Sequence, residues 1–184
     1  MARTEVEEVV ALEGDEEELQ VGRHADVGRA LLETPVSEVM RRGRPVTVTP
    51  DVPVARAVEL MVKRKVSAVM VVERRRPRRL VGIFTERDFL VRSAKARGLG
   101  RIPVGKVMSP APEALRPGDG VAYALNKMAV GRFRHVPVVD PGGTPVGMLT
   151  TRDLVDFIVE LCPEEVLNLP SEPELVHHPE REGA

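Results

Sequence analysis

The chain has 184 residues, 42% of them apolar but only 3% aromatic, which is enough for one compact domain or two small packed ones with an aliphatic core. Charged residues make up 30% yet nearly cancel, leaving a formal net charge of -1, so a chain-wide basic field for nucleic acid is excluded. A single cysteine, Cys162, excludes both an internal disulfide and a cysteine-based metal centre.

Residues 1–33 are an acidic extension, with Glu5, Glu7, Glu8, Glu13 and the run from Asp15 to Glu18, expected to be helical or disordered. Its first residues lack the apolar stretch of a secretory signal. No segment approaches the roughly 18 consecutive apolar residues of a membrane span. The expected compartment is the cytoplasm, with no membrane partner.

From residue 34 the sequence is written twice. Val36-Ser-Glu-Val-Met40 returns as Val104-Gly-Lys-Val-Met108, and Val54-Ala-Arg-Ala-Val-Glu-Leu-Met61 as Val121-Ala-Tyr-Ala-Leu-Asn-Lys-Met128. Val-Met-Val-Val-Glu73 returns as Val-Pro-Val-Val-Asp140, and Val81-Gly-Ile-Phe-Thr-Glu-Arg-Asp88 as Val146-Gly-Met-Leu-Thr-Thr-Arg-Asp153. Four matched blocks in one order define repeats over residues 34–100 and 101–162.

Within each repeat the elements follow in the same order. A short helical turn (Ser37 to Met40; Gly105 to Met108) precedes a strand near Val46 to Thr49, or Glu113 to Arg116. An amphipathic helix follows, on which Val54, Ala57, Val58, Met61 and Val62 form one apolar stripe. Two strands joined by a turn come next, Ser67 to Glu73 and Leu80 to Thr85 in the first copy. A last helix runs from Asp88 to Arg97, or from Asp153 to about Leu161. The expected fold is α+β: two β-α-β-β-α units packed through their sheets with pseudo-two-fold symmetry. The remaining residues, 163–184, rich in Pro and Glu, are expected to be a mobile tail in which His177-His178 is incidental rather than a metal site.

The ordered signature of a short helix ending in Val-Met, then strand, helix, apolar strand and Gly-hydrophobic-hydrophobic-Thr-x-x-Asp resembles the cystathionine-β-synthase (CBS) domain family. The resemblance covers roughly residues 35–160. It implies a paired module that binds an adenosyl ligand (AMP, ADP, ATP or S-adenosylmethionine), requires no cofactor, and signals to an effector protein or through a homodimer. The alternative is a ligand-free dimerisation scaffold. The helices from Asp88 and from Asp153 are the expected dimer surface.

Asp88 and Asp153 stand where a strand meets a helix, and a carboxylate there can accept hydrogen bonds from both ribose hydroxyls. Thr85 and Thr150, one turn earlier, are the expected phosphate contacts, joined by Arg134 and His135 in the second copy. Gly82 and Gly147 would let a flat base approach the strand, with Val46, Val48, Met70, Ile83, Val138 and Met148 walling the adenine. A purely structural reading stands beside this one, because Thr-x-x-Asp ahead of an apolar run is also a capping box. Ser67 and Ala68 occupy the positions of Arg134 and His135 in the first copy. The Asp153 cleft is therefore expected to favour a phosphorylated ligand more than the Asp88 cleft.

The Arg-rich segment from Arg74 to Arg79 has no interleaved aromatics and reads as a solvated hairpin turn, the next alternative being an intramolecular pairing with the acidic N-terminus, so nucleic acid is not expected. No His-Glu-x-x-His or nucleophile elbow is present, and Cys162 has no base nearby in sequence, so neither a catalytic nor a metal residue is assigned and the chain is not expected to be an enzyme.

Overall fold

The computed structural model describes residues 26–41, 43–94, 98–163 and 167–168. Residues 1–25 and most of the C-terminal tail, with the expectations attached to them, lie outside the described residues. In chain order the elements are helix α1 over 26–33, α2 (Val36–Val39), β1 (Thr47–Val48), α3 (Val54–Arg64), β2 (Ala68–Val72), β3 (Leu80–Thr85) and α4 (Glu86–Ser93). A second series follows with β4 (Ser109–Pro110), α5 (Val121–Gly131), β5 (His135–Val139), β6 (Pro145–Thr150) and α6 (Thr151–Leu161). Two single turns of 3-10 helix, Leu99–Arg101 and Val104–Lys106, lead into the second series.

β1 pairs parallel with β2, β2 antiparallel with β3, and β3 antiparallel with β4. In the second repeat β5 and β6 form the matching hairpin. The strand expected over Glu113 to Arg116 shrinks there to one parallel bridge, Leu115 to Val138. Both final helices begin two residues earlier than the spacing indicates, because Thr85 and Thr150 are themselves the N-caps and each acid is the third helical residue. Thr85 is extended (φ -119°, ψ 164°), so the strand runs into the helix without a loop.

Two aliphatic cores form. Val54, Ala57 and Met61 of α3 pack with Val69, Val71 and Phe84 in one, and Val121, Ala124 and Met128 of α5 with Val136, Val138 and Leu149 in the other. Val62 departs from the expected stripe: it is exposed and lies on the rim of a cavity rather than in the core. The Arg-rich hairpin turn is exposed, with Arg74 3.5 Å from Asp51.

The leading segments of the two repeats are exchanged. Val36, from α2, is fully buried in the second core, and Val104 is fully buried in the first. The backbone joins are symmetric: Val36 N–H donates to Asp119 O (2.8 Å) as Val104 N–H donates to Val52 O (2.8 Å), and Val121 N–H donates to Thr34 O (3.0 Å) as Val54 N–H donates to Ile102 O (2.9 Å). Consequently each Val-Met is packed against the other repeat, Met40 beside Gly147 of β6 and Met108 beside Gly82 of β3. β4, which follows Met108, adds the second repeat's leader to the first repeat's sheet.

Candidate functional site

The two Thr-x-x-Asp segments form full capping boxes. Asp88 Oδ2 accepts from Thr85 N–H (3.0 Å) and from the Thr85 hydroxyl (2.8 Å), and Asp88 N–H donates back to Thr85 Oγ1 (3.2 Å). Asp153 repeats this with Thr150 at 2.7, 2.7 and 3.3 Å. The cap uses one carboxylate oxygen, Oδ2, at each acid and leaves Oδ1 outside it. Capping and ligand binding therefore do not compete for the same atom.

This geometry revises the role expected of the threonines. Each hydroxyl donates its proton to the acid and accepts the acid's amide, so neither Thr85 nor Thr150 has a proton left for a phosphate while the cap is intact.

All four residues, from both repeats, line a single cavity of about 1210 Å³. Eight cationic side chains and four carboxylates line it, a surplus of positive charge suited to an anion. Two of the cations, Lys65 and Arg132, are equivalent helix C-caps held in the left-handed region at φ 52° and 54°. A non-glycine residue there carries some backbone strain.

Arg134 lines the cavity and is exposed. His135 also lines it, but its Nε2 lies 2.7 Å from Ser67 Oγ, tying the second repeat to the first. Burial, and then the charge of Arg134, lower its pKa from the ordinary 6.5. Ser67 thus engages one ring nitrogen, so a phosphate contact from His135 would have to use the other.

The glycines divide. Gly147 lines the cavity, whereas Gly82 does not. A side chain at Gly82 would collide with Met108, and one at Gly147 with Met40. Both methionines end the exchanged leaders, so the bare strand backbone accommodates protein packing. Of the expected adenine walls, Val46, Met70, Ile83 and Met148 line the cavity, while Val48 and Val138 are buried in the cores.

One residue absent from the sequence-based assignment enters the site. Arg41 Nε donates to Asp153 Oδ1 at 3.2 Å. Nothing local marks it, since it lies 112 positions from its partner and arrives only through the exchange of leaders. Among the described residues no group of three His, Cys, Asp or Glu is arranged to hold a metal ion, and no helix is long and apolar enough to cross a membrane.

Comparison with known proteins fits this architecture. The CBS domain family matches residues 36–95 and again 104–160. The mitochondrial CBS domain-containing protein CBSX3 of Arabidopsis thaliana is 31% identical over 145 residues, covering 74% of this chain and 70% of that protein. The Meiotically up-regulated gene 70 protein of Schizosaccharomyces pombe is 38% identical over 114 residues, 61% of this chain but only 15% of that much longer protein. Among solved structures, a CBS domain protein of Pyrobaculum aerophilum complexed with AMP is 28% identical, with a TM-score of 0.64, over 71% of this chain and 99% of its own.

Proposed function

The chain belongs to the CBS domain family, and on that premise we propose that it is a regulatory module binding an adenosyl ligand between its repeats and passing the bound state to a partner protein. The observation that carries this reading is the convergence of two N3 carboxylates, each with one oxygen outside its cap, on one cation-lined cavity. A ribose diol supplies two donors to such an oxygen, and the surrounding guanidinium groups take the phosphate. The AMP complex of the Pyrobaculum relative supports the ligand class.

Within that class AMP, ADP and ATP suit the site better than S-adenosylmethionine, whose sulfonium meets a surplus of like charge. Output runs through an effector protein or a second copy docked on the final helices, where Leu90 is 70% exposed and Val155 52%. Light scattering of the eluted protein, with and without ligand, measures that association.

Isothermal titration with AMP tests the site. Asp88→Asn and Asp153→Asn keep a carbonyl for the cap but lose the charge, and each lowers affinity at its own half-site by about tenfold or more, the worth of a charge-assisted hydrogen bond. The loss is larger for Asp153→Asn, because Arg134 lines the cavity where the first repeat has the uncharged Ser67. Wild-type protein that neither binds AMP, ADP, ATP or S-adenosylmethionine nor gains melting temperature with any of them is a scaffold instead.

A further inference from the structure

The two acids are chemically unequal in a way the repeats do not display. Asp153 has a side chain only 2% exposed, while the Arg41 that pairs with it is 67% exposed. Its Oδ2 is spent on the cap, so Arg41 holds the one remaining oxygen. At the equivalent place beside Asp88 the exchanged leader supplies Ser109, which lines the cavity and carries no charge. No hydrogen bond to Asp88 Oδ1 is made among the described residues.

We propose that Arg41 is a phosphate-released latch that makes the Asp153 half-site specific for 5′-phosphorylated adenosyl ligands, while the Asp88 half-site accepts the unphosphorylated nucleoside as well. The proposal rests on the nucleotide reading above.

The argument is one of charge exchange. A ribose reaching Asp153 Oδ1 must displace the guanidinium, and neutral hydroxyls then stand where a counter-charge stood. Leaving a buried carboxylate without its cation is costly. A ligand that also carries a phosphate repays this, because the displaced guanidinium forks onto the phosphate oxygens instead of entering water unpaired. Arg41 is exposed enough to swing without disturbing a core. Adenosine offers no such second partner and is rejected at this half-site. At Asp88 no cation has to move.

The test is titration of adenosine and of AMP into the full chain carrying Asp88→Asn, which weakens the competing Asp88 half-site, with and without Arg41→Gln. Gln leaves a neutral donor for the buried oxygen and keeps the Thr150 cap, so the fold is retained. With Arg41 present, AMP binds far more tightly than adenosine. With Arg41→Gln, adenosine affinity rises about tenfold while AMP affinity falls, so discrimination collapses. AMP binding with an adenosine-to-AMP ratio that Arg41→Gln leaves unchanged overturns the latch alone. Failure of wild-type protein to bind AMP overturns the nucleotide reading, and the latch with it.

Discussion

His135 shows how a side chain assigned from its type acquires a structural partner once its neighbours are known. It is half-buried, hydrogen-bonded to Ser67 across the repeat boundary, and held below the ordinary histidine pKa of 6.5 first by burial and then by Arg134. A lowered folded pKa means that the unfolded chain binds the proton more readily. Its contribution to stability is therefore present above pH 6.5 and lost as pH falls through the lower folded value. Urea midpoints taken from pH about 8 down to about 5 should fall more steeply for wild type than for His135→Gln, which keeps a partner for Ser67 but does not titrate. Parallel slopes would show that the imidazole is indifferent to the fold. At this scale the sequence displayed Thr-x-x-Asp completely, because capping is local in the chain. It concealed Arg41 and the Ser67–His135 contact, since both pairings are long-range and depend on which repeat each leader enters.

The elements themselves were readable where periodicity is strong. α3 and α5 occupy the expected stretches, and their buried faces hold Val54, Ala57 and Met61, and Val121, Ala124 and Met128. What periodicity missed lies at the ends: the bridge at Leu115 in place of a strand, and the two helices that start at their threonine caps. Strand length depends on how many neighbours remain to pair with, which no local pattern encodes. Gly120, the N-cap of α5, has a backbone any residue adopts (φ -68°, ψ 150°), so it is not there for conformational freedom. Its Cα instead faces the carbonyl oxygen of Leu32, so an added methyl would strike backbone rather than a side chain that can swing away. Gly120→Ala should cost about 1–3 kcal/mol, the usual range for overpacking, read from chemical denaturation. Gly118→Ala, with nothing within 4 Å of the new methyl, is the control and should leave the midpoint nearly unchanged. An equal loss in both would show that the close approach to Leu32 is not its cause.

For the whole molecule the decisive feature is that each repeat carries in its sequence a piece belonging to the other's core. Residues 34–100 cut out by the sequence repeat would hold Val36 without the core it fills and lack Val104, Val107 and Met108 from their own. A unit of that size is already marginal by the ratio of surface to volume, and losing several buried aliphatic groups costs about 2–5 kcal/mol for each large one. Fragments 34–100 and 101–162 should therefore show no cooperative melting separately, and recover a transition when mixed, followed by circular dichroism. The mixture regains the reciprocal joins of Val36 to Asp119 and Val104 to Val52 that neither half makes alone. If either fragment melted cooperatively by itself, the exchange would be ornamental and the repeats independent domains. If only the mixture does, the same exchange that completes each core also places Arg41 on Asp153 and Ser109 beside β3.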